Sequence, residues 1–430
     1  MKGTVGAMPY ECASCVKGHT NSATGTGPAG RTFRAERPNV YRFAVTEPRR
    51  LRVVYLDHCA QLSGAEIALS RLLPALLDRV DPLVLLGEGG PLVDRLSSLG
   101  VRVEVVALDP RVGALRKDTV GVRGFDVRTA VRIAPYTLAL ARRLRRDKPD
   151  LVHTNSMKAA LYGGVAARLA GVPMVWHLRD RVSPDYLPGP AVQLVRLATR
   201  VLPAVVVANS ASTMSTVPRR RHSVVVDNAV IHDSVDLVAS HNGPAGELTI
   251  GMVGRLTPWK GQHIFLEAFA SALGGTGATA RLIGSAMFGE DGYEAQLRAQ
   301  ARDLGIAEQV EFRGFREDVG RELNALDVLV HCSTSPEPFG QVVVEGMAAG
   351  LLVIAADEGG PAEIIVDGVD GLLVEPRRPE LLADALRLVA HDPALRQRLG
   401  SAAMLSSSRF SPEATAGQVM EVYQRVLRKR

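Results

Sequence analysis

Short apolar segments alternate with helical segments along most of this chain, and this alternation restricts the possible folds more than any other feature. The first apolar segment is residues 51–56 (LRVVYL), and a helical pattern follows from about Ala65. Further apolar segments occupy residues 82–86, 101–106, 150–153, 174–177 and 204–208. Such alternation is typical of parallel β-sheets whose strands are connected by helices on both faces. It predicts an α/β fold with doubly wound, Rossmann-like sheets.

The alternation begins again after a break rich in glycine and proline at residues 241–247 (HNGPAGE). A chain of 430 residues is too long for one ordinary core and fits two domains of roughly 200 residues each. We therefore predict two Rossmann-like domains that face each other across a cleft, at residues 51–243 and 244–410. Residues 411–430 are predicted to form a helix that packs back toward the first domain. Residues 1–50 lack apolar periodicity and are predicted to be a flexible extension.

Cysteine content and the absence of a targeting signal predict a cytoplasmic protein. Four cysteines in a chain of this length do not form a disulfide framework. The N-terminus has no basic region followed by an apolar stretch, and no apolar run reaches the roughly 18 residues of a membrane-spanning helix. Cys12 and Cys15 form a CxxC pair near His19, but no second cysteine pair accompanies them. A zinc site is therefore not expected.

The charge is divided unevenly between the two halves of the chain. The first 245 residues carry 33 lysines and arginines against 20 acidic residues, whereas the remainder carries 18 against 25. This division indicates that the first half meets an acidic partner, such as anionic lipid or a phosphorylated acceptor. No nucleic-acid-binding signature accompanies it, so nucleic acid is not expected. The basic clusters at residues 142–146 and 219–222 could dock on the inner face of an anionic membrane, or they could form a solvated surface.

Two glutamates, Glu337 and Glu345, lie eight residues apart in the second domain. The pattern places the first in a loop after a strand and the second about two turns along the next helix, so that both face one cleft. The backbone N–H groups of Phe339, Gly340 and Gln341 at the helix start can bind an anion or a hydroxyl group. A buried carboxylate at such a position can accept hydrogen bonds from two vicinal hydroxyls, which sugars and riboses present.

Basic and glycine residues follow the first strand of each domain. Arg255 and Lys260 lie where a diphosphate would meet a helix start, and arginine can bind phosphate through two parallel hydrogen bonds. Gly64 lies in the turn after the first strand of the first domain, where a glycine permits close approach of a phosphate to the backbone. No GxGxxG motif occurs at either position. Nicotinamide and flavin cofactors are therefore not expected.

At these positions the sequence resembles the retaining glycosyltransferases of family 4, which have the GT-B fold of two Rossmann-like domains. The likeness covers nearly the whole chain after the N-terminal extension. It rests on Glu337 and Glu345 (an E-x7-E pair), the segment 359–363 (GGPAE), Arg255 and Lys260. The resemblance implies transfer of a sugar from a UDP- or GDP-linked donor with retention of anomeric configuration. It also implies that no divalent metal or other cofactor is required.

The resemblance implies roles for candidate residues of the second domain, which would bind the nucleotide sugar. Arg255 and Lys260 would hold the diphosphate and neutralise the charge that develops on the leaving group. Glu345 would accept hydrogen bonds from the ribose hydroxyls. Glu337, with the backbone amides that begin the following helix, would position the donor sugar.

Further roles are implied for the first domain, on the acceptor side, and for the base-binding loop. Gly64 would supply a backbone N–H to the phosphate from across the cleft, although Ser63 stands where the family often has a second glycine. Arg313 to Phe315 match a loop that contacts the base mainly through its backbone. His177 matches a histidine that contacts the donor sugar. The predicted catalytic residues are Glu337, His177, Arg255 and Lys260.

The expected partners are a nucleotide-sugar donor and a glycan or lipid-linked acceptor, in the synthesis of cell-surface polysaccharide or glycolipid. Two alternatives remain open on the same architecture: a nucleotide-sugar epimerase and a non-catalytic partner of another transferase that binds nucleotide sugar. An epimerase would not need a basic acceptor-facing domain. A degenerate site usually loses one of its charged residues, whereas this sequence retains Glu337, Glu345, Arg255 and Lys260. The sequence does not define the base, the sugar, the acceptor or the linkage.

Overall fold

The computed structural model describes residues 49–108, 127–218, 222–230, 248–286 and 290–428. Four predicted features lie wholly or almost wholly outside this part of the chain. They are the N-terminal extension, the cysteine pair Cys12 and Cys15, the arginines 219–221 and the domain boundary at residue 243.

The first sheet has seven parallel strands in the order β3-β2-β1-β4-β5-β6-β7. The strands are β1 (Leu51–Asp57), β2 (Val80–Leu86), β3 (Arg102–Val105), β4 (Leu151–Thr154), β5 (Met174–Leu178), β6 (Val205–Ala208) and β7 (Val224–Val225). Strand β1 pairs with β2 on one side, where Val53 is opposite Pro82, and with β4 on the other, where Val53 is opposite Leu151. The direction of winding therefore reverses at β1, and the loops after β1 and β4 diverge to leave a crevice.

Helices cover both faces of this sheet, which explains why its strands are apolar on both sides. They are α1 (Gly64–Leu72), α2 (Pro91–Ser98), α3 (Val127–Asp147), α4 (Met157–Ala170), α5 (Gly189–Val201) and α6 (Ala211–Ser215). The sequence sets several of their ends: proline stands at the first position of α2, and Gly171 ends α4 in the left-handed conformation (φ 71°). The side chains of β5 alternate between the two cores, with Val175 on one face and Trp176 on the other.

The second sheet has six parallel strands in the order β10-β9-β8-β11-β12-β13. The strands are β8 (Thr249–Val253), β9 (Thr279–Ile283), β10 (Val310–Gly314), β11 (Val328–His331), β12 (Leu352–Ala356) and β13 (Leu372–Val374). Its helices are α7 (Gln262–Leu273), α8 (Asp291–Asp303), α9 (Val319–Leu323), α10 (Gln341–Ala348), α11 (Pro361–Ile364), α12 (Pro379–His391) and α13 (Pro393–Ser407). Winding reverses between β8 and β11, so this sheet also has a switch point.

Two parallel sheets of this kind confirm the predicted fold class. The strands expected from apolar runs are present, with ends that differ by at most two residues. The prediction did not include β7 and β13, which have two and three residues, because strands so short show no detectable periodicity.

The last helix, α14 (Pro412–Leu427), follows the second domain in sequence but packs against the first sheet. Its residues Val419, Val422 and Tyr423 are buried in the same core as Val53 and Tyr55 of β1. At its start, the Ser411 side chain accepts a hydrogen bond from the backbone of Ala414 at 3.2 Å, which satisfies one of the free N–H groups of the first turn. Among the helices that the structure describes, none combines the length and the apolar character needed to cross a membrane.

Candidate functional site

The predicted site residues of the second domain lie at the carboxyl ends of β8 and β11, the strands that flank its switch point. Arg255 and Lys260 follow β8, whereas Glu337 lies in the loop between β11 and α10. Glu345 lies on α10 itself. The carboxyl ends of neighbouring parallel strands meet at one edge of the sheet, which is where ligands bind in such folds. The structure thus brings together residues that are up to 90 positions apart in the sequence.

Glu337 is almost fully buried, and three side chains hold one of its carboxylate oxygens. Ser333 Oγ donates to Oε1 at 2.7 Å, and His331 Nε2 lies 3.0 Å from the same oxygen. Lys260 Nζ completes the group through an ion pair. Burial raises the pKa of Glu337, but the charge of Lys260 and the contact with His331 outweigh burial and hold this pKa well below its ordinary value. The site therefore contains a buried carboxylate with a cation against it.

The cations after β8 are arranged around an indole ring. Lys260 Nζ lies 4.7 Å from the ring centroid of Trp259, and the guanidinium carbon of Arg255 lies 5.9 Å from it. Cation–π attraction of this kind holds both side chains near the loop. The Gln262 side chain donates to the Arg255 carbonyl at 2.9 Å and fixes the backbone of this turn. Two positive charges are thus presented at the start of α7.

Two glycines allow these loops to approach each other. Gly261 has φ 83°, and a Cβ atom there would lie 2.1 Å from the carbonyl oxygen of Cys332. Gly340 has φ 97°, and a Cβ atom there would lie 2.8 Å from Cγ of Pro361. Any larger residue would separate the loop after β8 from the end of β11, or the start of α10 from α11. Phe339, next to Gly340, is buried and contacts Phe410 edge to face at 5.8 Å, which anchors the loop.

Across the cleft, α1 of the first domain contacts α10 of the second. Arg71 Nη1 lies 2.7 Å from Oε1 of Glu345. With its amide oriented to satisfy both neighbours, Gln341 donates to the Gly64 carbonyl at 3.0 Å and accepts from Arg71 at 2.9 Å. These contacts make neighbours of Gly64, Gln341 and Glu345, which a binding site formed by both domains requires. The ion pair with Arg71 occupies the carboxylate for which the family resemblance implies a contact with ribose.

A second contact between the domains braces the loop before α10. The Glu363 carboxylate accepts hydrogen bonds from the backbone N–H groups of Ala211 (2.7 Å) and Ser212 (2.5 Å) at the start of α6. Ser210 and Thr213 donate from their hydroxyls to the Pro338 carbonyl at 2.5 and 3.1 Å. The glutamate of the GGPAE segment therefore contacts the first domain, and the loop that carries Glu337 is held on both sides.

Arg313 and Phe315 lie apart from the group around Glu337. The guanidinium of Arg313 pairs with Glu322 at 3.2 Å and lies 3.8 Å from Glu311. Phe315 is 61% exposed. The Gly314 carbonyl between them accepts a hydrogen bond from Gly284 at 2.9 Å, so the backbone of this loop, but neither side chain, is joined to the loops nearer the switch point.

His177 lies near the carboxyl end of β5 and is buried. Its Nδ1 atom is 3.2 Å from Nε2 of His153 and 3.4 Å from Nη2 of Arg179. Its Nε2 atom is buried and has no hydrogen-bond partner among the described residues. A buried ring nitrogen without a partner at the end of a strand is available to a ligand, because leaving it unsatisfied is costly.

A polar network surrounds Arg179 at the same edge of the first sheet. Asn155 donates to Asp57 at 2.6 Å and accepts from Arg179 Nε at 2.7 Å. Burial and the nearby charge of Asp57 raise the pKa of Glu66 on α1 to about 8, although the contact with Ser63 opposes this shift. Glu66 is therefore a buried carboxyl that remains largely protonated near neutral pH. The network supplies both donors and acceptors beside His177.

Sequence reasoning missed several residues of this site: Asp57, Glu66, Arg71, His153, Asn155 and His331. One signal was present for three of them. Asp57, His153 and His331 are polar residues at the ends of otherwise apolar strands, where side chains reach a switch-point crevice. Arg71 carries no such signal, because it lies in the last turn of an ordinary amphipathic helix.

The described residues offer no group of three or more histidine, cysteine, aspartate or glutamate side chains arranged to hold a metal ion. Two cysteines lie near the site, Cys59 after β1 and Cys332 after β11. Burial raises the pKa of each thiol to about 12, so both remain protonated and unreactive at neutral pH.

Sequence comparison identifies relatives of both halves of the chain. The family described as Glycosyl transferases group 1 matches residues 236–406, and the family described as Glycosyltransferase Family 4 matches residues 92–238. The D-inositol 3-phosphate glycosyltransferase of Nocardiopsis dassonvillei is 30% identical over 360 residues, which are 75% of this chain and 80% of that protein. The enzyme of the same name from Streptomyces scabiei is 31% identical over 309 residues, 64% of this chain and 67% of its own length.

Solved structures show the same architecture. HepE of Anabaena, crystallised with UDP and glucose, has a TM-score of 0.76 and 29% identity over 87% of this chain and 100% of its own. The same protein has also been crystallised with UDP-glucose. The sucrose-phosphate synthase of Thermosynechococcus elongatus has a TM-score of 0.72 at 19% identity, over 89% of this chain and 100% of its own, and it supports the fold alone. These likenesses confirm the GT-B arrangement.

Proposed function

This chain belongs to glycosyltransferase family 4 and is a glycosyltransferase of the GT-B type; we propose that it moves a sugar from a nucleoside-diphosphate donor to an acceptor hydroxyl, with retention of configuration. The observation that carries the proposal is the buried group of Lys260, His331 and Glu337 at the ends of β8 and β11. The helix that follows Glu337, α10, contacts α1 of the first domain through Glu345 and Arg71, so a ligand between the sheets would contact both domains.

In the proposed donor complex, the diphosphate lies at the start of α7, beside Arg255 and Lys260. These cations stabilise the negative charge that the diphosphate gains as it leaves. Glu337 accepts hydrogen bonds from the sugar hydroxyls, and Glu345 accepts them from the ribose. The backbone N–H of Gly64 donates to a phosphate oxygen from the first domain.

We propose that the donor nucleotide is UDP. HepE, crystallised with UDP and with UDP-glucose, is 29% identical to this chain and aligns over its full length. This identity supports the proposal that both proteins bind the same donor nucleotide. The base-binding loop around Arg313 and Phe315 would contact uracil mainly through backbone groups, since Phe315 is exposed to solvent and the Arg313 side chain is paired with Glu322.

The transfer breaks the bond between the anomeric carbon and the diphosphate oxygen and forms one bond to the acceptor oxygen. The diphosphate departs with the bonding electron pair, and its leaving oxygen accepts the proton that the acceptor hydroxyl loses. In a retaining reaction the new bond forms on the face from which the diphosphate leaves. We propose that Arg255, Lys260 and the N-terminus of α10 provide the stabilisation that a divalent cation supplies in other transferases.

The acceptor is proposed to be a glycan or lipid-linked hydroxyl in the synthesis of cell-surface polysaccharide or glycolipid. It would enter from the first domain, where the network around Arg179 and Glu66 offers several hydrogen-bonding groups. The inositol 3-phosphate glycosyltransferases that resemble this chain indicate that small phosphorylated acceptors belong in the first acceptor screen.

We also propose that the first domain contacts the anionic inner face of a membrane. Arg145 of α3 donates to the Leu169 carbonyl of α4 at 2.5 Å, and Arg168 donates to the Val201 carbonyl of α5 at 3.1 Å. These bonds align three helix ends, at which Leu169, Leu197 and Val201 are exposed beside arginines. The helix ends precede β4, β5 and β6, on the edge away from the cleft, so the contact would anchor the enzyme without occluding its site.

A turnover assay with sugar nucleotides tests the proposed reaction. The enzyme is incubated with UDP-, GDP- and ADP-linked sugars in EDTA, with and without an acceptor panel, and the products are followed by proton NMR. We expect one donor to lose its nucleoside diphosphate, with the first-formed sugar product keeping the anomeric configuration of the donor. Inverted product, strict dependence on added metal, or an epimerised sugar nucleotide would contradict the proposal.

Co-flotation with vesicles tests the membrane contact separately. We expect the protein to float with vesicles rich in anionic lipid at low salt and to stay behind with neutral ones. The variant Leu197→Glu should weaken flotation, whereas Leu405→Glu, at an exposed leucine of α13 in the second domain, should not. Absence of binding at low salt would remove the membrane contact and leave the transferase proposal unaffected.

A further inference from the structure

Four buried aromatic side chains form a row that runs from β1 through the C-terminal helix α14 and β4 to β5. The hydroxyls of Tyr55 and Tyr423 are 3.0 Å apart, and the Tyr423 hydroxyl lies 2.8 Å from Nδ1 of His153. His153 Nε2 lies 3.2 Å from Nδ1 of His177. All four side chains are buried, and the row ends at His177 Nε2, which has no partner among the described residues.

Arg179 favours one direction for these hydrogen bonds. Its Nη2 atom lies 3.4 Å from Nδ1 of His177, and a guanidinium group can only donate. Nδ1 of His177 is therefore an acceptor, so the neutral ring carries its proton on Nε2. His153 Nε2 faces the same ring nitrogen and donates to its one lone pair, which it shares with Arg179. The remaining nitrogen of His153 then accepts from Tyr423, whose oxygen in turn accepts from Tyr55.

Both histidines are neutral, which the one-way row requires. Burial and the positive charge of Arg179 lower the pKa of His153 to about 3 and hold the pKa of His177 well below its ordinary value. An imidazolium ring would carry a proton on each nitrogen and could not accept from Arg179. The row therefore has one consistent assignment, in which His177 Nε2–H is a donor without an acceptor.

We infer that Tyr423 and His153 are positioning residues that hold His177 in its Nε2–H tautomer, so that His177 presents one hydrogen-bond donor to an oxygen of the bound sugar. This inference rests on the proposed function, because it takes His177 as the residue that contacts the donor sugar. The contact from Arg179 is the longest in the row and is weak by itself. The two tyrosines add a second constraint. In the reversed row His153 would donate to Tyr423 and Tyr423 to Tyr55, and the buried Tyr55 O–H would have no acceptor among the described residues.

The inference gives the C-terminal helix a part in the site. Tyr423 lies 270 residues from His153 in the sequence and belongs to the helix that follows the second domain. The packing of α14 on the first sheet therefore sets the proton position of a ring at the cleft. Without the Tyr423 hydroxyl, only the weak contact from Arg179 favours this tautomer, so His153 and His177 can populate the other one as well.

Conservative variants in the full chain test this role. Tyr423→Phe removes the hydroxyl and keeps the ring, Tyr55→Phe removes only the outermost link, and Tyr162→Phe makes the same change at a buried tyrosine outside the row. Nitrogen-15 NMR of protein labelled at histidine reports which ring nitrogen of His177 carries the proton, with His177→Gln used for assignment. Thermal unfolding and the kcat and KM for the donor are measured on each variant.

We expect wild-type His177 to be protonated on Nε2 alone. Tyr423→Phe should populate both tautomers and lower kcat about ten-fold, with a smaller change in donor KM and little change in unfolding temperature. Tyr55→Phe should have a weaker effect and Tyr162→Phe none. Protonation of Nδ1 in the wild type would overturn the inference. Unchanged ring protonation and kcat in Tyr423→Phe would overturn it as well, whatever happens to stability.

Failure of the proposed function would look different. If the wild type consumes no sugar nucleotide, the transferase proposal fails, and the role of His177 toward a sugar fails with it. If the wild type turns over its donor normally and Tyr423→Phe does the same, only the inference about the row fails. The NMR measurement needs no turnover, so it determines the tautomer in either case.

Discussion

At the scale of single residues, the state of Glu337 depends on a few close neighbours. Its carboxylate is buried, and Lys260, His331 and Ser333 all approach one oxygen. Taking a charge out of water is costly unless partners replace the lost hydration. Removal of one partner therefore leaves an unpaired charge, whereas removal of both leaves a neutral contact.

We predict opposite effects on stability for single and double changes at this pair. Lys260→Met should lower the free energy of unfolding by about 3 kcal/mol and kcat/KM by about a hundred-fold or more. Addition of Glu337→Gln should restore most of the stability and none of the activity. Urea denaturation and initial rates measure both quantities, with Lys148→Met as the control at an exposed lysine after α3. Full stability of Lys260→Met would contradict the buried ion pair.

Glu66 predicts a pH dependence of stability in the opposite direction to that of an ordinary ion-paired carboxylate. Its pKa in the folded protein is about 8, against an ordinary value of 4.5. Between these values the folded state binds more protons than the unfolded state, so stability falls as the pH rises from one to the other. The variant Glu66→Gln has no carboxyl to ionise, so it does not lose this stability as the pH rises. The difference in unfolding temperature, variant minus wild type, should therefore be larger at about pH 9 than at about pH 5.

The matched control for Glu66→Gln is Glu317→Gln, at an exposed glutamate in the loop before α9. This control should shift the unfolding temperature equally at both pH values. If Glu66→Gln also shifted the unfolding temperature equally at both pH values, the Glu66 carboxyl would be ionised in the folded state at neutral pH.

At the scale of elements, the N-termini of α6 and α10 have different surroundings. The start of α6 is capped by Glu363 from the other domain, so its free N–H groups have an acceptor. The loop that carries Glu337 leads into α10 at Gln341, beside the cleft. Free N–H groups and the helix dipole favour a negative charge at such an end. The capped helix therefore braces the domains, whereas no side chain caps the start of α10, where the proposed complex has a phosphate.

The brace at α6 gives a prediction about stability. Glu363→Ala should lower the free energy of unfolding by about 1 kcal/mol, because two backbone N–H groups lose a charged acceptor. Glu421→Ala, at an exposed position of α14, should leave it nearly unchanged. Urea denaturation measures both variants. Equal stability of the two would mean that water replaces Glu363 without cost.

The local parts of the fold and site could be predicted from sequence, and the distant contacts could not. Strand β1, the start of α10 and the proline at the first position of α14 follow from residues within one turn or strand. The bond between Tyr423 and His153 joins residues 270 positions apart, and the Arg71–Glu345 pair joins two domains. Neither leaves a periodic signal, because each depends on how finished elements pack. Prediction therefore identified Glu345 but not its partner.

At the scale of the whole molecule, α1 and α10 connect the two sheets across the cleft. Arg71 pairs with Glu345, and Gln341 bonds to Gly64. Arg71 contacts Oε1 of Glu345, so a ribose whose two hydroxyls bind both carboxylate oxygens would compete with Arg71 for this oxygen. The pair is partly exposed, with about a sixth of each side chain accessible, and such pairs contribute little free energy.

Removal of the competitor should strengthen nucleotide binding. We predict that Arg71→Leu lowers the Kd for UDP about two- to five-fold, which corresponds to the strength of a partly exposed ion pair. The control is Arg302→Leu, at an exposed arginine in the last turn of α8, which should leave the Kd unchanged. Isothermal titration calorimetry measures both. Weaker binding to Arg71→Leu would show instead that Arg71 itself contacts the nucleotide.

The central claim is that a nucleoside diphosphate binds between these two helices and the cations after β8. Calorimetric titration of UDP into the wild type, in EDTA, tests it most directly when repeated on Lys260→Met and Glu345→Gln. We predict one site per chain in the wild type and at least about ten-fold weaker binding in each variant. If no nucleoside diphosphate binds, or if the wild type and both variants bind equally, the site lies elsewhere and the proposed function is wrong.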